Sequence, residues 1–113
     1  MFSWPGTRIE GQSLVRIQLN GLFTKLADRV GIIGNCPELG NWDVSKAVML
    51  EYVNLNLWFS EVAFSESAGK TVAYKFVLFH SDPNLAPQRE SRTGRTRPIP
   101  ESGVAKWRDV WEE

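Results

Sequence analysis

Thr71 to Phe79 can be read only as an extended segment. Val72, Tyr74, Phe76 and Leu78 fall on one side of it, and Lys75, Val77 and Phe79 on the other, which is the two-residue period of a strand. The same period runs through Leu14 to Asn20, grouping Val15, Ile17 and Leu19. It runs again through Trp58 to Phe64, grouping Trp58, Ser60, Val62 and Phe64. Val30 to Gly34 and Ala47 to Leu50 predict shorter strands, and Val104 to Trp111 alternates weakly as a closing one. Pro83 to Pro98 reads as loop-rich. No segment sustains a 3.6-residue apolar repeat, so helix is scarce. Short strands set apart by turns predict a β-sandwich or barrel. At 113 residues the chain is expected to form one domain over residues 13–113, behind an irregular lead-in over residues 1–12.

One turn stands out. Gly34-Asn35-Cys36-Pro37-Glu38-Leu39-Gly40-Asn41-Trp42-Asp43 crowds turn-formers around a tryptophan. Glycine and asparagine accept backbone angles that other residues resist, and proline presets a bend. Folding does not call for a large indole on such a turn, so Trp42 reads as a binding platform.

Charge and chemistry narrow the function. Thirteen basic residues balance thirteen acidic ones, leaving no long-range field to draw nucleic acid or an anionic membrane; a neutral partner fits better. Cys36 is the single cysteine, so no intrachain disulfide forms, and a lone thiol suits a reducing compartment. The opening Met1-Phe2-Ser3-Trp4-Pro5-Gly6 lacks a basic segment followed by an apolar run, so no signal peptide is expected. His80 and Cys36 are each alone of their kind, which puts a three- or four-ligand zinc site out of reach. No nucleophile elbow or phosphate-cradling loop occurs. His80 reads as a surface loop residue. The expectation is a protein without catalytic activity, metal or cofactor.

From Leu14 to Trp111 the chain resembles the starch-binding domain, the family 20 carbohydrate-binding module. The resemblance rests on an ordered set: a Gly-Asn pair closing a strand, Glu38-Leu39-Gly40-Asn41-Trp42-Asp43, Ala47-Val48-Met49-Leu50, Leu57-Trp58, Tyr74-Lys75-Phe76-Val77, Gly94-Arg95 ahead of Ile99-Pro100, and Asp109-Val110-Trp111. It implies an antiparallel immunoglobulin-like β-sandwich of seven to eight strands with two separate α-glucan sites. The physics suits the residue types. A glucose ring offers an apolar C–H face and a rim of hydroxyls; an indole stacks on the first at low entropic cost, and lysine, amide or carboxylate groups bond the second.

By this resemblance the first site comprises Trp42 as platform and Lys75 as its strand lysine, with Arg89 standing where the family has a second tryptophan and Glu90 matching the glutamate after it. Gly94 replaces the usual asparagine. The second site comprises Trp58, Tyr52 and Phe23, the last in place of a tyrosine; a packed Trp58 is the competing reading. Tyr74 and Phe76 read as core, and Trp107 and Trp111 as covering an edge of the sandwich. Arg89, Arg92, Arg95 and Arg97 crowd one segment. They read either as a solvated loop in which Arg95 is structural, or as a site for an anionic ligand such as a phosphorylated glucan. The resemblance implies a non-catalytic module that binds starch, glycogen or maltooligosaccharide and targets an attached intracellular enzyme, in cytoplasm or plastid. A sandwich used for protein contact, its glucan sites decayed, is the alternative; an exposed Trp42 beside Lys75 separates the two.

Overall fold

A computed structural model describes residues 13–90 and 94–112. The expected lead-in over residues 1–12, and Arg92, lie outside the described residues. The strands are β1 (Ser13–Asn20), β2 (Arg29–Gly34), β3 (Val48–Met49), β4 (Glu51–Asn54), β5 (Leu57–Phe64), β6 (Thr71–Phe79), β7 (Gln88–Arg89), β8 (Arg95–Pro98) and β9 (Gly103–Val110). Two sheets face each other. One has the order β4-β5-β1-β9; the other runs β3-β2-β6, with β7 and β8 both pairing the far side of β6.

This is the expected all-β sandwich. Among the described residues its strand count exceeds the expected seven to eight because β3 and β7 are two-residue ladders. Pairing is antiparallel except between β1 and β9, which run parallel in unbroken register from Ser13↔Gly103 to Asn20↔Val110. The parallel pair arises because β9 reaches β1 from β8 in the opposite sheet, by way of Ile99.

The alternation seen in the sequence puts the core where two inner faces meet. Val15, Ile17 and Leu19 of β1, Trp58, Val62 and Phe64 of β5, and Val72, Tyr74, Phe76 and Leu78 of β6 are all buried in one cluster. Trp107 and Trp111 join it. They belong to the edge strand and the residue after it, yet their rings turn inward, and Trp107 stacks on Tyr74 with ring centroids 4.8 Å apart.

Two expectations for the loops need correction. Pro83 to Pro98 contains β7 and β8. β8 looks polar in sequence because its inward-facing residues, Arg95 and Arg97, are charged and hide the alternation. β4 was not expected at all. All four of its residues are exposed, so no apolar period marks it, and it forms by hairpin pairing to β5. The connecting Leu55 and Asn56 both take positive φ, 45° and 63°, the geometry that two-residue hairpin turns need.

At the end of the sandwich an ion network closes the gap between sheets. Arg95 donates to both oxygens of Glu90, at 3.2 Å from Nε and 2.7 Å from Nη2, and its Nη1 lies 3.4 Å from Asp109 Oδ1. Arg97 donates to Asp109 at 2.8 Å and to the Tyr74 hydroxyl at 2.8 Å, while that hydroxyl donates to Asp109 at 2.6 Å. Burial, with the Asp109 carboxylate accepting its proton, pushes the Tyr74 phenol far above its ordinary value. Arg95 is therefore structural, the first of the two sequence readings, and Arg97 joins it.

Candidate functional site

The turn carrying Trp42 is held in an unusual backbone. Pro37–Trp42 forms a kinked 3-10 turn in which Gly40, Asn41 and Trp42 have φ of 77°, 51° and 68° in succession. At Gly40 only glycine fits, since a Cβ there would stand 2.8 Å from the carbonyl oxygen of Lys46. Asparagine tolerates the left-handed region, but a bulky tryptophan does so at a cost of roughly 1–3 kcal/mol, which the surrounding contacts must offset.

Those contacts are specific. Glu38 accepts hydrogen bonds from the Ser65 amide at 3.0 Å, the Ser67 amide at 3.1 Å and the Ser67 hydroxyl at 2.7 Å, tying the turn to the β5–β6 connection. Asn35 accepts from the Ala73 amide through its side chain and donates its own amide to the Ala73 carbonyl, at 3.0 and 2.9 Å. Leu39 is fully buried beneath the turn. Asp43 closes the far side by accepting from the Ser45 amide and hydroxyl.

Glu38 sets a pH dependence. Burial alone would raise its pKa, but the hydrogen bonds from Ser67 and Ser65 outweigh that and hold the carboxyl below its ordinary 4.5. A folded value below the unfolded one contributes stability that is fully present above pH 4.5 and is lost as pH falls through the lowered value. Because Glu38 is partly open to solvent, Glu38→Gln is expected to cost about 1 kcal/mol at neutral pH, a discounted figure. It should also flatten the acid limb of the stability curve; urea titrations between neutral pH and pH 3.5 would reveal both.

Trp42 is 39% exposed, and the end of its ring lies against Gly94, the residue before β8. A Cβ added at Gly94 would stand 3.3 Å from Trp42 Cη2, so the glycine lets the indole lie against the sheet. Ala73 lies beneath the same spot. Two residues further along β6 on that outer face is Lys75, opposite Ile33, and two further is Val77, opposite Arg89. Trp42, Lys75 and Arg89 thus share the outer face of one sheet, with Arg89 exposed and Lys75 half-buried.

Glu90 does not join them, a correction to the first site. It is 2% exposed, and its oxygens accept from the Phe76 amide, Arg95 and the Glu112 amide. Alternation explains the difference: Arg89 faces out with Val77, so the next residue turns in. At the second site Trp58 is 5% exposed, which favours the competing reading of a packed residue. It pairs with Leu19 on the inner side, and the Tyr52 ring packs edge-on against it with centroids 5.2 Å apart. Tyr52 keeps half its surface open, and Phe23 is 80% exposed on the connection before β2.

A family model described as the starch binding domain matches residues 12–107. The chain belongs to the starch-binding domain family. Cyclomaltodextrin glucanotransferase of Geobacillus stearothermophilus is 34% identical over 104 residues, covering 87% of this chain and 14% of that protein. The starch-binding domain thus spans about one-seventh of the curated relative's length. Among solved structures, a family 15 glucoamylase from Hypocrea jecorina superposes with a TM-score of 0.79 at 29% identity, over 91% of this chain and 18% of the glucoamylase. The family 20 module of a maltotetraose-forming amylase from Pseudomonas saccharophila STB07 gives 0.63 at 25% identity, over 80% of this chain and 98% of that module. The starch-binding domain described here is accordingly a binding module rather than a catalytic domain.

Three features of this starch-binding domain escaped sequence reasoning. The Glu38 tether joins residues 27 and 29 apart, so no local pattern marks it. Gly94 acts through space on Trp42. Phe79 lies at the far end of the outer face, with the Arg29 guanidinium 5.9 Å from its ring centroid. Only its place in the alternation hinted that it faces away from the core.

Proposed function

We propose that this module binds α-1,4-glucan (starch, glycogen or maltodextrin) without transforming it. A sugar ring stacks on Trp42, and Lys75 bonds the hydroxyl rim. Tyr52 supplies the open aromatic of a second site, resting on the edge of Trp58, with Phe23 nearby in chain order. The observation that carries this reading is the exposed indole on a strained, multiply tethered turn, beside a lysine on the same sheet face. A decayed module would have no reason to keep that strain.

The matching segment lies within much longer chains in a glucanotransferase and a glucoamylase, which supports attachment of this module to a catalytic domain that it targets to the polymer. The proposal places it inside the cell, in cytoplasm or plastid. Its one cysteine, Cys36, is free and buried, with burial pushing the thiol pKa up, and it makes no disulfide.

Titration with maltoheptaose or β-cyclodextrin, followed by tryptophan fluorescence, tests the reading. Saturable quenching is expected, with an affinity nearly the same at low and high salt, because a neutral ligand releases no counterions. An unchanged tryptophan signal together with no retention on insoluble starch would refute it.

A further inference from the structure

Resting on that reading of the Trp42 face, the geometry points to a phosphorylated α-glucan as the ligand, its phosphomonoester held by Arg89 and Lys75 beside the tryptophan. Arg95 and Arg97 are committed to Glu90 and Asp109, and Arg16 to Glu61 at 2.8 Å. Arg29, Lys75 and Arg89 are among the described basic residues that have no carboxylate partner, as are Lys25, Lys46, Lys70, Lys106 and Arg108, but these three share a sheet. All three sit on the outer face of the same sheet. Val77 is opposite both Gly31 and Arg89, Lys75 is two residues before Val77, and Phe79, opposite Arg29, is two residues after it.

Strand spacing fixes their reach. With about 4.8 Å between strands and 3.3 Å per residue, the Cα atoms of Lys75 and Arg89 lie roughly 8 Å apart, and those of Arg29 and Arg89 roughly 12 Å apart. Two long side chains starting 8 Å apart can close on one phosphate. No described carboxylate is paired with them: Glu90 is turned inward onto Arg95, Asp28 accepts from the Lys25 and Ser81 amides, and Asp43 accepts from Ser45. A neutral hydroxyl rim needs no uncompensated cations. A dianionic ester does, and a guanidinium fork matches its oxygens. Two cations within reach of one point suit a single phosphate, whereas a polynucleotide would need a longer basic strip. The tryptophan on the same face makes the carrier of that phosphate a sugar.

Calorimetric titration of the full chain with phosphorylated and unphosphorylated maltodextrin of equal length, and with inorganic phosphate, tests this at pH 5 and pH 7.5. The phosphorylated ligand should bind roughly fivefold tighter at pH 7.5, the upper range for an exposed ion pair. That preference should shrink at pH 5, as the ester loses its second charge near pH 6. In Arg89→Gln the ratio of the two affinities should fall towards one. Equal affinity for both maltodextrins in the parent overturns the phosphate assignment and leaves glucan binding standing. So does a preference that survives Arg89→Gln, or inorganic phosphate binding as tightly as the phosphorylated glucan. Failure to bind either maltodextrin overturns the Trp42 reading and this one together.

Discussion

Replacing Trp42 by alanine is expected to remove most α-glucan affinity while leaving the sandwich folded. Losing a stacked aromatic at the centre of a small site costs about 2 kcal/mol or more, roughly thirtyfold in Kd. The fold should tolerate the change because the indole lies outside the core cluster and keeps 39% of its surface open. Alanine also keeps the left-handed backbone at residue 42 strained, so relief of strain does not mask the loss. Stability should fall by no more than about 1 kcal/mol, within the range for a partly exposed side chain. Parallel thermal melts and β-cyclodextrin titrations read both effects. If Trp42→Ala binds β-cyclodextrin like the parent, the platform lies elsewhere; if it unfolds, Trp42 is core.

The opposite pattern is expected at Arg95. Arg95→Ala would leave the Glu90 carboxylate buried without its cation, while Asp109 keeps Arg97 at 2.8 Å. Removing one partner of a buried ion pair destabilises by about 3–5 kcal/mol, a large part of the stability of a domain this size. The loss reaches further because Glu90 also holds the Phe76 and Glu112 amides, and Arg95 lies over the Phe76 ring at 5.6 Å. Lysine is a poor substitute, since its point charge cannot fork across both Glu90 oxygens as the guanidinium does. Urea denaturation of Arg95→Ala and Arg95→Lys would show this as a lowered midpoint in both variants, larger for alanine. A shift smaller than about 1 kcal/mol in the alanine variant would mean the network is dispensable. The two experiments separate binding from folding, since Trp42 belongs to the first and Arg95 to the second.

Wherever one side chain period decides, the sequence sufficed. Val15, Ile17 and Leu19, or Val72, Tyr74, Phe76 and Leu78, can meet an apolar core only as strands, so β1 and β6 were legible to within a residue. The turn around Trp42 was legible for a similar local reason, because glycine and asparagine advertise the left-handed angles that Gly40 and Asn41 adopt. Local chemistry says nothing about partners that folding brings from afar. β4 exists only because β5 pairs with it, and β8 hides its inner face behind arginines whose carboxylates come from β9 and the end of β7. Glu90 and Arg89 are neighbours in sequence, and both looked like ligand groups. The pleat sent one inward to hold Arg95 and the other outward beside Lys75. Trp58 was turned into the core by its register with Leu19, and Trp42 was kept out of it by the turn that Glu38 tethers to serines 27 and 29 residues beyond itself. Which tryptophan meets solvent is thus a matter of sheet register and long-range hydrogen bonds, and no local reading of the chain contains either.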